Sequence, residues 1–281
     1  MGRKALKVRP ATPTEFDEVA AFCAGRGKDA QTREIKRRRR HWLQEMAPRG
    51  LTVLLAVDPR PPRVLDFGGE RVSSDELTLL SDGLVVGLLE YVPVEETLYP
   101  VTGAGHLFVD CLWVIEPYLG RGVGRSLVEG VVRVARARRL GVAVVAWRGA
   151  APSEDWSYMP ASFFRTFGFD VVDEDGDRAL MTVNYGDAGA PRLAEPEEEP
   201  ASGIVEYLCH PSCPASLWAA ADVAEEASVV EVDGGEAARR YGALFGVRVD
   251  GRVVVNRLAF ASDLARVKGA AESRDGSTDR D

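Results

Sequence analysis

The stretch Leu112-Trp-Val-Ile-Glu-Pro-Tyr-Leu-Gly-Arg-Gly-Val-Gly-Arg-Ser-Leu127 carries the residues best suited to chemistry. An apolar run leads into Gly120, Gly122 and Gly124, and an amphipathic pattern follows. Glycine lets the backbone turn tightly and approach a ligand closely. A helix starting just behind the glycines exposes N–H groups without acceptors and the positive end of its dipole. Together these form a cradle for a pyrophosphate. The dinucleotide fingerprint G-x-G-x-x-G is not met by this spacing, and the Lys of a P-loop is missing. A glycine-rich turn ahead of a core helix is the alternative.

These residues need elements to position them. The pattern predicts a strand over Leu6–Arg9 and a helix to about Cys23, with Thr12 as cap and Pro13 in its first turn. A helix over Ala30–Met46 carries Lys36-Arg-Arg-Arg-Arg40, read as a solvated face. Strands follow at Leu51–Val57, Gly83–Val92 and His106–Val114, with Pro59–Glu70 as a loop. In the helix Gly122–Leu140, Val123, Leu127, Val131 and Ala135 line one face, and Arg125, Glu129, Arg133 and Arg136 another. Gly141–Trp147 reads as a buried strand. A short helix near Pro160–Phe167 precedes strands at Phe169–Val172 and Ala179–Asn184, joined by a turn at Asp173–Asp177.

At this point the sequence resembles the GNAT superfamily of N-acetyltransferases. Leu119-Gly120-Arg121-Gly122-Val123-Gly124 is similar to the family's acetyl-CoA motif, with Leu119 where Gln or Arg is usual. Leu6–Phe16 looks like its opening strand and helix, and Phe163-Phe-Arg-Thr-Phe-Gly-Phe169 like its F-Y-x-x-x-G-F segment. The resemblance implies an α/β fold over residues 1–185. Its sheet is mixed, mostly antiparallel and splayed, with helices on both faces. It implies acetyl-CoA as co-substrate, bound by Leu112, Trp113 and Val114 and by Leu119 to Ser126. The amides of Arg121 to Ser126 would hold the pyrophosphate, and the Leu112 N–H would stabilise the oxyanion.

The usual acid and base are missing, because Phe164 stands at the family's Tyr and Phe108 at its common Glu. A two-residue period puts His106, Asp110 and Leu112 on one strand face. Asp110 is then the first candidate base and His106 the second. Tyr158 is the candidate acid. Trp147, Trp156 and Tyr158 would flank the acceptor mouth.

Gly186–Ser202, rich in Pro, Ala and Glu, reads as a solvated linker. Residues 203–270 follow the order β-α-β-α-β-β-α, with an Asp250-Gly251 hairpin turn. That order, with Cys213-Pro-Ala-Ser216 at the first strand–helix junction, resembles a small thioredoxin-like α/β domain of the kind in YoaP-type GNAT proteins. Cys213 and Cys209 are redox candidates, and Cys213 at a helix N-terminus favours the thiolate. Residues 271–281 read as a disordered tail.

Hydrophobic residues make up 46% and charged residues 28%, so the chain folds. No apolar run reaches the roughly 18–20 residues of a membrane span, and the N-terminus has no apolar signal core. Four cysteines are too few for a disulfide scaffold, so cytoplasm is the expected compartment. The net charge is −8, and the acidity lies beyond residue 185. The charge argues against a nucleic-acid partner, and the lack of an apolar span against a membrane one. The three His and four Cys show no metal-site spacing. The expected activity is acetyl transfer from acetyl-CoA to a primary amine of a small molecule or peptide. The alternatives are an acyl-CoA-binding sensor with weakened catalysis or a thiol-regulated acetyltransferase.

Overall fold

The computed structural model describes residues 6–25, 27–149, 159–196 and 204–275. The chain forms two compact units, one reaching to Leu193 and one starting at Ala194 that also takes in Leu98–Pro100. Among the described residues no helix is long and apolar enough to cross a membrane.

The first unit is built on β1 (Lys7–Pro10), β2 (Thr52–Asp58), β3 (Gly83–Pro93), β4 (His106–Val114), β5 (Gly141–Trp147), β6 (Asp170–Asp175) and β7 (Arg178–Asn184). Its helices are α1 (Phe16–Ala24), α2 (Ala30–Met46), α3 (Val123–Arg138) and the short α4 (Ala161–Arg165). The eight-stranded sheet runs β1-β2-β3-β4-β5-β7-β6, with Leu79–Leu80 as a two-residue addition on β3. Every pairing is antiparallel except β4 with β5.

Both faces of the sheet are apolar, which follows from near-continuous hydrophobic strands. Leu54, Ala56, Leu89, Val109 and Val144 pack with Val123, Leu127, Val131 and Ala135 of α3 in one core. The alternate residues Val53, Leu55, Leu88 and Phe108 are equally buried on the other face. There α2, which packs on α1, sends Arg39 to Glu90 of β3. Arg39 lies in register with Ile35, Trp42 and Met46 on the buried side of α2. This corrects the reading of Lys36–Arg40 as wholly solvated: helical spacing puts one arginine of the run inside.

Three further expectations change. Within Pro59–Glu70 a hairpin forms from Val64–Phe67 and Glu70–Ser73, closed by Gly68 and Gly69 at positive φ. The stretch 186–193 is not a free linker. Arg192–Leu193 pairs with Val101–Thr102, Pro191 is buried, and the Leu193 N–H donates to Asp173. A short chain segment with backbone partners and a buried proline is held to its unit. The strand β6 also runs through Asp175, so the turn to β7 is tighter than the sequence suggests.

In the second unit, β8 (Val205–Cys209), β9 (Ser228–Glu231), β10 (Gly246–Val249) and β11 (Arg252–Val255) form a sheet ordered β9-β8-β10-β11. Strand β8 is parallel to β9 and antiparallel to β10. The helices are α5 (Pro214–Val223), α6 (Gly234–Tyr241) and α7 (Ala261–Asp275). Asp250 and Gly251 both take positive φ, as a tight two-residue hairpin turn requires. The helix α7 runs to Asp275, into what reads as tail, and residues 276–281 lie outside the described residues.

One glycine sets how closely sheet and helix meet. Gly87 on β3 faces Val114, and a Cβ there would sit 2.9 Å from the Trp113 carbonyl oxygen and 3.1 Å from Val123. Gly87→Ala should therefore lower stability by about 1–3 kcal/mol, the cost of overpacking. Urea unfolding measures this, and an unchanged midpoint would mean that the contact yields freely.

Candidate active site

Strand β4 is paired on both sides only along its first half. His106–Val109 pair with Gly141–Val144 of β5, and the pairing stops there. Beyond Val144, β5 turns to the segment that leads into α4: the Trp147 N–H donates to Met159 O at 2.9 Å, and Trp147 bridges Pro160. Burial changes at the same point. His106–Val109 are buried, and Asp110–Val114 are each half-buried.

A bulge marks the break. Cys111 pairs with Glu90 and Val109 with Tyr91, so Asp110 is the extra residue on β4. Bulges bend a strand and sharpen its twist. The bulge also resets the alternation of side chains. Leu112 packs toward the α3 core, whereas the electrostatic neighbours of Asp110 are Glu90 and Arg39 on the opposite face. The expectation that His106, Asp110 and Leu112 share a face is therefore corrected, because a two-residue period does not survive an inserted residue.

The backbone of the open half has a definite direction. The Ile115 N–H donates to Val86 O, so Ile115 points its backbone groups at β3. In an antiparallel ladder the neighbouring residue points the other way. Val114 and Leu112 therefore turn their backbone groups into the gap left by β5, where an extended ligand can pair with them.

The glycine cradle sits at the end of this gap. A one-turn 3-10 helix, Glu116–Tyr118, leads to Leu119, which is 61% exposed. Its Tyr118 hydroxyl donates to Asp58 at 2.7 Å, in the core. Gly120 and Gly122 have φ of 69° and 79°, and a Cβ on either would meet nothing within 4 Å. These are left-handed conformations beside open space, a fit for a bulky anion pressed against backbone. The Arg121 N–H donates to Tyr118 O and the Ser126 N–H to Gly122 O. Those two amides are committed, which narrows the expected cradle. The N–H groups of Val123, Gly124 and Arg125, in the first turn of α3, have no intrahelical acceptor. Arg121 and Arg125 lie over the Tyr118 and Phe167 rings, keeping positive charge beside the cradle.

Asp110 sits at the apex of the gap. Its carboxylate accepts a hydrogen bond from Thr97 Oγ1 at 2.8 Å. Burial raises its pKa to about 7, with Glu90 pushing the same way and Thr97 and Arg39 opposing. A carboxyl group that exchanges its proton near neutrality suits general base chemistry. His106 is elsewhere. It is 2% exposed at the paired end of β4, its ring lies against Gly141, and Nδ1 is 3.0 Å from Ala104 O. Four residues of strand, about 13 Å, separate it from Asp110. Phe108 and Phe164 are fully buried. Tyr158 and Trp156 lie outside the described residues.

The sequence reading missed Arg39, Glu90 and Thr97. Two signals pointed to the first two: one arginine on an apolar helix face and one acid within an apolar strand. Both are 1% exposed. Each makes sense only with the other.

In the second unit Cys209 ends β8 and is 2% exposed, while Cys213 caps α5 with Pro214 at its first position. The fully buried Ser216 ties the loop between them. Its hydroxyl lies 2.8 Å from Cys213 O and 3.0 Å from His210 O, and accepts from the His210 N–H at 3.1 Å. The Ser212 N–H donates to His210 Nδ1, which leaves the ring proton on Nε2 in the neutral form. None of the four cysteines is joined in a disulfide. Among the described residues no cluster of His, Cys, Asp or Glu is arranged to hold a metal ion.

Residues 40–169 match the model of the acetyltransferase (GNAT) family. No curated protein matches the sequence. Among solved structures, the chain is similar to the PaiA N-acetyltransferase of Thermoplasma acidophilum in complex with coenzyme A. That match has 12% identity, covers 64% of this chain and 99% of that one, and has a TM-score of 0.40. YhbS of Escherichia coli in complex with CoA matches at 14% identity over 64% and 82% of the two chains, with a TM-score of 0.40. NAA60 of Arabidopsis thaliana in complex with a bisubstrate analogue matches at 15% over 64% and 98%, with a TM-score of 0.40. At these values the assignment rests on the family match and on the site itself. Residues 40–169 thus match the acetyltransferase (GNAT) family, and the open half of β4 and the glycine turn behind it both lie within that span.

Proposed function

We propose that this chain is an acetyltransferase that transfers an acetyl group from acetyl-CoA to a primary amine of a small molecule or peptide, with Asp110 as general base. The observation that carries the reading is the opening of the sheet at Asp110. It puts a carboxyl titrating near neutrality at the apex of the gap where Leu112 and Val114 turn their backbone outward. In this reading the pantetheine arm pairs with Leu112 and Val114 as an added strand. The N–H groups of Gly122 to Arg125 hold the pyrophosphate. Asp110 takes the ammonium proton, directly or through water, and the freed amine attacks the thioester carbonyl. The Leu112 N–H stabilises the oxyanion, an effect of about 3–4 kcal/mol in well-formed oxyanion holes. Tyr158 is our assignment for the acid that returns a proton to the thiolate, with Phe164 unable to do so.

We further propose that the second unit is a thioredoxin-like thiol domain of the YoaP type, with Cys213 as its reactive group. Its strand order, and a cysteine at the N-terminus of α5, support that reading.

The cradle is tested by Gly122→Glu. A side chain at φ 79° is strained, and the glutamate would fill the open space with negative charge. Calorimetry on the folded variant should show no acetyl-CoA binding, and unchanged affinity would remove the cradle from this role.

The base is tested by Asp110→Asn, expected to lower turnover at neutral pH by about 10²-fold or more, with acetyl-CoA affinity kept. The parent rate should rise with pH through about 7, and the variant should lose that limb. Stability gives an independent check. The folded pKa lies above the unfolded value near 3.9, so the native state binds the extra proton between the two. The stability contributed by this group is complete below about pH 4 and declines as pH rises toward neutrality. Asp110→Asn should raise Tm more at about pH 8 than at about pH 5, and equal shifts would contradict the assignment.

For the second unit, Cys213 should alkylate faster than Cys209, because one caps a helix half-exposed and the other is buried in a strand. Peptide mapping after brief iodoacetamide treatment reads the order, and faster labelling of Cys209 would reverse it.

A further inference from the structure

The buried ion pair behind β4 has a geometry that bears on the base. Glu90 lies on β3 directly across from Cys111, next to the residue that bulges out as Asp110. Arg39 reaches it from α2 and bonds the Glu90 carboxylate, and both are 1% exposed. Asp110 is faced by Glu90 from β3, by Arg39 from α2 and by Thr97 from the turn after β3. Cys23 of α1 and Cys111 of β4 lie around the same guanidinium.

Two carboxylates therefore share one neighbourhood with one guanidinium, and the guanidinium is bonded to Glu90. Had Asp110 taken Arg39 instead, a charge-assisted bond would hold it as an inert carboxylate well below neutrality. What Asp110 receives is one neutral hydroxyl donor, Thr97. We propose that Glu90 and Arg39 are positioning residues for acetyl transfer: by occupying Arg39, Glu90 keeps the guanidinium from Asp110 and leaves Asp110 able to take a proton from the amine.

This inference rests on Asp110 being the base, and the two are separable. Glu90→Gln keeps the shape and removes the charge that holds Arg39. Arg39 then acts on Asp110, and the alkaline-rising limb of the pH–rate profile should move down by about 1–3 pH units, the usual effect of a close opposite charge. Arg39→Gln leaves Glu90 unopposed, and the limb should move up. The double variant removes both charges, and its limb should return near that of the parent. A purely structural pair predicts no such reversal of sign, and makes the double variant at least as impaired as either single one. If one single variant does not fold, the sign of the other and the return in the double variant still decide.

Carbon-detected NMR titration of the Asp110 carboxyl, assigned by its loss in Asp110→Asn, reads the same shifts without turnover. Shifts in the titration with no matching change in the rate profile would uphold the tuning and sink Asp110 as the base. An Asp110 titration and a rate limb both unmoved in Glu90→Gln would overturn the inference while leaving the base assignment standing.

Discussion

Strand β4 keeps both neighbours only as far as Val109, and the site of the first unit depends on that limit. One inserted residue, Asp110, breaks the register against β3. A bulge bends its strand, so the partner on the other side is lost where the bend begins. Three consequences follow from this single irregularity. Backbone groups of Leu112 and Val114 lie open inside the sheet rather than along one of its edges. A carboxyl group stands at the apex of the opening. The chain leaving β4 then reaches the cradle by a single 3-10 turn, Glu116–Tyr118.

The surroundings hold that irregularity in place. The Tyr118 hydroxyl is bonded to Asp58 at the end of β2, which fixes the turn before the glycines to the core. Gly87 lets Trp113 and Val123 close in on β3, so α3 starts against the open half of β4. The Arg39–Glu90 pair lies behind the bulge. A buried pair of this kind adds little stability over an apolar replacement, whereas losing one partner costs about 3–5 kcal/mol. Its weight lies in the electrostatics of the neighbouring carboxyl more than in the stability of the fold.

The second unit follows a different economy of form. Its sheet centres on β8, where Tyr207 is fully buried and donates to Ala259 O at 2.8 Å. The Cys-bearing loop is held by a hydroxyl, with Ser216 bonded to the backbone at both of its ends. The serine of the C-x-x-S pattern is thus a structural tie that orients Cys213 at the start of α5.

Short-range physics made much of the first unit readable from sequence. Glycines at 120 and 122 mark left-handed turns because other residues are strained there, and the apolar stripe of α3 repeats at helical spacing. Buried strands such as Gly141–Trp147 announce themselves as continuous apolar runs. The turn Asp250–Gly251 is equally local. What the tertiary structure alone decided involves residues far apart in the chain. Whether Asp110 is in register or bulged depends on the strand across from it, so a two-residue period wrongly grouped it with Leu112. Arg39 looked solvated within a run of arginines, because its partner Glu90 is 51 positions away. Arg192 and Leu193 read as linker, because composition does not reveal that Val101–Thr102 offers them an edge. Local conformation is set by each residue's own sterics and period, whereas burial, charge and proton affinity are set by neighbours that only folding brings together.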